Sequence, residues 1–246
     1  MGLGDRVVKK VKKKKKIKIL PCLIVILLLG FFYLGIRFYL EIPLKGIIIS
    51  GNTLLNDQEI IDGAGLEKYP KYYSFKIKDI EKTLENNEYI KEVKVKRTFF
   101  HIIKIKVEDH KILLYDYASN KYILSDGSKV STNKFKNQGY PTLVNYVSDE
   151  VYDRFITLLN KIKPNILNQI SEIKYDPTKY DSGRFFLTMN DGNYVYINLT
   201  KQKDSKVYNI EYLNYYNDFY PNFDGHIGIL YLDSGYGSAS EYKILK

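Results

Sequence analysis

From Ile19 to Ile36 the chain carries no charged residue. At about 1.5 Å of rise per residue, such a stretch makes a helix of roughly 27 Å, close to the ~30 Å hydrocarbon core of a bilayer. Phe38, Tyr39 and Leu40 extend it, and Arg37 can snorkel its charge into the headgroups. The pattern therefore predicts a membrane span over 19–40. Pro21 stands in its first turn, where a missing N–H does little harm.

Beyond residue 41 the period of the apolar positions changes repeatedly. Leu44–Ser50 is a short β-rich run closed by the turn signal Gly51-Asn52. Asn56 and Asp57 cap a short helix with Ile60 and Ile61 on its apolar side. Ile77, Ile80 and Leu84, three and four apart, predict a second helix over Lys78–Asn87. Ile90–Arg97 and Ile103–Glu108 then alternate with period two, the mark of strands with one wet face, and Thr98–His101 is short enough to join them as a hairpin. The order is β-α-α-β-β.

The second half reads as hairpins and helices in alternation. Tyr122–Ser125, Asp126-Gly127 and Lys129-Val130 predict a hairpin. Val151, Phe155, Leu158, Leu159 and Ile162 form a helical stripe within Val147–Ile162, with Pro164 as its stop. Ile170–Tyr175 is a strand. Arg184–Met189 and Tyr194–Leu199 flank Asp191-Gly192, which suits a type I′ turn. Lys206–Phe219 predicts a helix ended by Pro221. His226–Asp233 is the last predicted strand, and Ser240–Lys246 reads as a tail.

Charge orients the span. Arg6, Lys9, Lys10, Lys12 to Lys16 and Lys18 precede it against a single acid, Asp5, which places the N-terminus in the cytoplasm and the C-terminus outside. Directly before a span, these lysines set topology and touch anionic lipid headgroups, and a nucleic-acid role does not follow from them. Without residues 1–18, Lys plus Arg falls from 38 to 29 and Asp plus Glu from 28 to 27. The net charge falls from +10 to +2, so the exported part suits protein partners better than polyanions. A cleaved signal peptide needs small residues at its exit. The only alanines are Ala64, Ala118 and Ala239, and the aromatics crowding the exit fit an interfacial belt. A retained anchor is expected.

No motif points to catalysis, and no cofactor or small-molecule substrate is expected. Cys22, the sole cysteine, lies in the span, so the exported part has neither a disulfide nor a sortase-type nucleophile. His101, His110 and His226 show no H-x-x-x-H spacing for a metal. Asp126, Asp181, Asp191 and Asp233 are the carboxylates that a glycoside-hydrolase reading would use. Three of them sit in or beside Gly-containing turn signals, where Asp is common for conformational reasons.

The layout resembles the bacterial divisome family called FtsQ in some bacteria and DivIB in others. The motifs that carry the resemblance are Ile47-Ile48-Ile49-Ser50-Gly51-Asn52 followed by Glu59-Ile60, then Tyr89–Arg97 with Ile103–Glu108. Tyr122-Ile123-Leu124-Ser125-Asp126-Gly127 and Tyr140-Pro141-Thr142-Leu143 resemble the opening of the family's second domain. Where the family often has Trp-Pro between the paired strands, this chain has Phe99-Phe100.

The resemblance implies an α+β protein. It would have a basic cytoplasmic tail over 1–18, one transmembrane helix over 19–40 and a POTRA-like domain over 42–110. A larger mixed α/β domain with an antiparallel sheet would follow over 111–239, then a C-terminal tail over 240–246. It implies a non-enzymatic divisome scaffold at the septum. Its partners would be other divisome membrane proteins, including small coiled-coil partners of the FtsB/FtsL (DivIC/FtsL) type. They would bind through the last strands by β-augmentation. The matching candidates are Ile229, Tyr231, Asp233 and Tyr236, with the tyrosines as anchors. The alternation would place Ile227 and Ile229 in the core. Two other readings are a POTRA-containing protein of export or envelope assembly, and a membrane-anchored cell-wall hydrolase.

Overall fold

A computed structural model of the chain describes residues 19–135, 138–203, 205–234 and 241–245. The Lys-rich segment 1–18 and the candidate Tyr236 lie outside them. Helix α1 (Ile19–Leu40) has no acidic residue in its first turn and Arg37 in its last. Over Leu20–Leu40 it is long and apolar enough to cross a membrane, and none of it is buried by the rest of the protein.

The first folded unit is β1 (Gly46–Ser50), α2 (Asp57–Gly63), α3 (Ile77–Glu85), β2 (Ile90–Arg97) and β3 (Ile102–Asp109). Its sheet runs β1-β3-β2, with β1 parallel to β3 and β2 antiparallel to it. Asn56 caps α2: its side chain accepts from the Glu59 N–H while Glu59 accepts from the Asn56 N–H, a reciprocal pair that satisfies two orphan donors. Ile60, Ile80 and Leu84 from the helices pack on Val93, Val95, Ile103, Ile105 and Val107 from the strands. The linker of β2 and β3 is a single 3₁₀ turn, Phe99–His101, with Phe100 and His101 in the left-handed region at φ 64° and 61°.

The second unit is one nine-stranded mixed sheet, ordered β12-β11-β10-β9-β8-β7-β4-β5-β6. Its strands are β4 (Ile112–Asp116), β5 (Lys121–Leu124), β6 (Lys129–Val130), β7 (Thr142–Leu143), β8 (Ile170–Tyr175), β9 (Arg184–Met189), β10 (Tyr194–Asn198), β11 (Gly228–Tyr231) and β12 (Glu241–Ile244). Helices α4 (Asp149–Leu159) and α5 (Pro164–Leu167), the 3₁₀ segment Asn209–Phe219 and α6 (Tyr220–Phe223) accompany it. The core joins Phe155, Leu158 and Leu159 of α4 to Ile173, Phe185, Leu187, Val195, Ile197 and Leu230 of the strands. Phe155 stacks on Phe185 at 4.2 Å between ring centres.

Several expectations change. The sheet is mixed: β4–β7, β7–β8 and β10–β11 pair in parallel. Strands β4 and β7 were not anticipated. Leu113 and Leu114 are buried side by side where a single wet face would alternate, and β7 has only two residues to show a period. Pro164 opens α5 instead of merely stopping α4, because proline is tolerated at a first helical position. The expected helix over Lys206–Phe219 is a 3₁₀ segment starting at Asn209, and Pro221 lies in the first turn of α6. The Asp191-Gly192 turn is not type I′. Gly192 N–H donates to Met189 O and Met189 N–H to Asn193 O. Only Gly192 has positive φ, 90°, so this is a type I turn closed by a left-handed glycine.

The two units share a small core. Leu54 of the first packs with Ile112, Tyr122, Leu124, Val130 and Phe135 of the second, and the Tyr89 ring meets Phe135 edge-on at 5.8 Å. At the joint, the Asp109 carboxylate accepts from the backbone N–H groups of Thr53 and Leu54 and from the Thr53 hydroxyl. Lys134 reaches Glu59 at 2.8 Å.

Candidate partner interface at the sheet end

Strand β11 is not the edge. Residues 241–244, expected as tail, form β12 and pair with it antiparallel: Gly228 opposite Ile244, Ile229 opposite Lys243, Leu230 opposite Tyr242, and Tyr231 opposite Glu241. Glycine makes this approach possible. A Cβ on Gly228 would lie 2.5 Å from Lys243 O and 2.5 Å from the Tyr242 ring. The Tyr242 ring covers the space and stacks on Phe223 at 4.4 Å. Its hydroxyl lies 2.7 Å from His226 O and 3.1 Å from Asn193 Oδ1, and Asn193 Oδ1 also accepts the Gly228 N–H. Burial and the neighbouring Asp191 charge raise the Tyr242 pKa, so the phenol stays protonated and able to donate.

The register shows which backbone groups of β12 remain open. Leu245 N–H donates to Ile227 O at 3.0 Å. In an antiparallel ladder the hydrogen-bonded pairs alternate. Ile229–Lys243 and Tyr231–Glu241 are therefore bonded pairs, and the N–H and C=O groups of Tyr242 and Ile244 turn outward. Among the described residues no strand lies beyond β12.

The face of the sheet away from the helices is aromatic. Tyr194 stands opposite Thr188 and Ile229, and Tyr196 opposite Phe186 and Tyr231. The rings run as a ladder: Phe186 to Tyr194 at 5.3 Å, Phe186 to Tyr196 at 4.7 Å, and Tyr196 to Tyr231 at 5.3 Å. These residues are half-buried, as is Ile229. The Arg184 guanidinium sits 3.6 Å over the Tyr196 ring and donates to Asp233 at 3.0 Å and Asp176 at 3.3 Å.

The four candidates thus separate. Ile229 and Tyr231 project from the aromatic face beside the edge strand, and the core positions of β11 are Gly228 and Leu230. Ile227 and Ile229 are not core residues as expected: Ile227 is 52% exposed. Leu230 and Leu232 are the buried side chains of this segment, and the Tyr242 ring fills the space beside Gly228. Asp233 is held by Arg184, and its carbonyl accepts from the amides of Asn198 and Asn209 at 2.8 and 2.9 Å. It pins the end of β11. Tyr236 lies outside the described residues. The residues that sequence reasoning missed are those of β12. Glu241-Tyr242-Lys243-Ile244 alternates polar and apolar, a signal of only four positions.

The carboxylates proposed for hydrolysis have structural partners. Asp126 accepts from Ser128 and Asp181 from the Asn198 amide. Asp191 accepts from the Tyr216 hydroxyl and Asp233 from Arg184. The Asn198 amide donates both to the Asp181 carboxylate and to the Asp233 backbone carbonyl. Among the described residues no group of three or more His, Cys, Asp or Glu is placed to hold a metal ion.

Comparison with known proteins agrees with this architecture. Residues 42–110 match the family model described as POTRA domain, FtsQ-type. The chain is 28% identical to the cell division protein DivIB of Bacillus subtilis over 189 residues, covering 74% of this chain and 72% of that protein. It is 28% identical to DivIB of Listeria monocytogenes over 194 residues, covering 76% and 71%. The major extracytoplasmic domain of DivIB from Geobacillus stearothermophilus aligns with a TM-score of 0.34 at 21% identity, covering 46% of this chain and 89% of that domain. That TM-score is too low to bear on the fold.

Proposed function

We propose that this chain, a member of the FtsQ/DivIB family of bacterial cell division proteins, serves division as a non-enzymatic scaffold. Helix α1 anchors it with the N-terminus in the cytoplasm, and residues 41–246 stand outside. The POTRA domain lies next to the membrane and aids recruitment. The second domain captures division partners of the small coiled-coil type at the β12 end of its sheet. The observation that carries this reading is the open β12 edge, whose Tyr242 and Ile244 backbone groups face away from β11. A partner strand satisfies those groups, and the neighbouring aromatic face supplies side-chain selectivity. Glu241 and Lys243 are both exposed and flank the edge with opposite charges. They guard it against indiscriminate pairing.

Two proline substitutions test the edge directly. Ile244→Pro removes an outward N–H and leaves the β11 ladder intact, which edge strands tolerate. Lys243→Pro removes a donor from the β11–β12 ladder itself. With partner ectodomains as probe, Ile244→Pro is expected to lose capture while keeping wild-type melting. Lys243→Pro is expected to lose both capture and part of its stability. Wild-type capture by Ile244→Pro contradicts β-augmentation at this edge.

A further inference from the structure

The end of α1 and the tip of the β2–β3 hairpin meet in one cleft, shared by Tyr39, Tyr73, Phe99, Phe100 and His101. The Tyr39 ring lies 5.3 Å from the His101 ring and its hydroxyl is 3.0 Å from that of Tyr73. The connection is fastened by backbone: Tyr72 N–H donates to Ile42 O, and Lys45 N–H to His101 O. The hairpin tip is therefore fixed at the level where the apolar helix ends. There, Phe99 is 88% and Phe100 81% exposed. Phe100 and His101 both take the left-handed conformation, which non-glycine residues seldom adopt, and the turn displays the two rings outward.

Behind the tip the same hairpin carries an unfavourable arrangement of charge. On its solvent face Lys96 stands directly opposite Lys104, and Lys94 opposite Lys106. Like charges directly opposite one another destabilise a strand pair. Lys94 pairs with Glu92 at 2.6 Å. Lys96, Lys104 and Lys106 have no ion-pair partner among the described residues. At about 3.3 Å per residue, the Lys96–Lys104 pair lies roughly 7–10 Å behind Phe99 and Phe100. An apolar group buried at the headgroup and acyl boundary sits about 5–10 Å deep. When the phenylalanines reach that boundary, the lysines stand among the headgroups.

We propose that the β2–β3 hairpin is a second membrane contact. Phe99 and Phe100 enter the outer leaflet beside the exit of α1, and Lys96 and Lys104 bind anionic headgroups. This fixes the POTRA domain against the bilayer at two points, so it neither swings nor rotates freely about the span. The inference rests on the reading of α1 as a membrane span and is independent of the β12 edge.

The chain has no tryptophan, so Phe100→Trp introduces a single reporter. The full chain is reconstituted into vesicles of phosphatidylglycerol and phosphatidylcholine, with and without brominated acyl chains. Tyr180→Trp, at a site 92% exposed in the second domain, serves as the aqueous reference. Retention of the protein in the vesicles after an alkaline wash reports insertion of α1 separately. The expected result is a blue-shifted emission from Phe100→Trp, quenched several-fold more by brominated lipid than that of Tyr180→Trp. Adding Lys96→Glu and Lys104→Glu, or omitting phosphatidylglycerol, should remove most of that excess. If α1 is retained and Phe100→Trp behaves as Tyr180→Trp, the hairpin contact is wrong. Shielding from an aqueous quencher without quenching by brominated lipid means that a protein surface covers the tip, which also overturns it. Quenching that ignores both the lysine substitutions and the anionic lipid overturns the headgroup assignment.

Discussion

Single side chains do different work on the two sides of the candidate interface. Tyr231 stacks on Tyr196 and offers its outer surface, whereas Asp233 is consumed by Arg184. Tyr231→Ala combined with Tyr236→Ala is expected to weaken capture of partner ectodomains about tenfold or more, the scale of a lost aromatic anchor, while the domain stays folded. Unchanged recovery in a pull-down argues against these anchors. At the joint of the two units, Glu59 links a helix cap to Lys134. The Lys134 ammonium, and after it the Asn56 N–H, hold the Glu59 carboxyl below its usual pKa. A depressed carboxylate stabilises the fold above its unfolded pKa and loses that contribution as pH falls through the folded value. Glu59→Gln should therefore melt lower than wild type at neutral pH and show a smaller further drop on acidification. The pair is largely exposed, so the neutral difference should stay near 0.2–1 kcal/mol. Parallel acid-side melting curves for the two proteins contradict this.

Among the elements, legibility followed the length and clarity of the period. Ile90–Arg97 and Ile170–Tyr175 were readable to the residue although an irregularity near the start of each, at Ile90/Glu92 and Ile170/Glu172, interrupts the alternation. The Asn56 cap was readable because its chemistry is local. Strand β12 was not, since four residues beyond a Gly- and Ser-rich stretch carry too little pattern. Its formation depends on distant Gly228. The orientation of β11 was misread for the same reason: Ile227, Ile229 and Tyr231 are the more apolar set, yet Leu230 and Leu232 face the core. The candidate interface inherits this limit, since Tyr194, Tyr196, Phe186 and Tyr231 become one surface only through strand order. Gly228→Ala tests the dependence. The added methyl meets the Lys243 carbonyl, and overpacking of this kind costs roughly 1–3 kcal/mol. Hydrogen exchange should speed up at Lys243 and Leu245 and stay slow in β8 and β9. Unchanged exchange at β12 contradicts the close approach.

For the molecule as a whole, the parts follow one another along the chain from the apolar helix. An apolar helix leads directly into a POTRA domain through Ile42 and Lys45, and Asp109 and Tyr89 couple that domain to the long sheet. Among the described residues the sheet ends at β12, eight strands from β6. Net charge divides at the same helix, since +8 of the +10 lies in residues 1–18 and the rest of the chain is close to neutral. The central claim is that this assembly serves division. Its most direct test is imaging of a full-length fluorescent fusion in growing cells of its own host. Bands at mid-cell that appear before constriction and depend on α1 are expected. A uniform peripheral signal throughout the cell cycle, from a fusion shown to be intact, would contradict that claim.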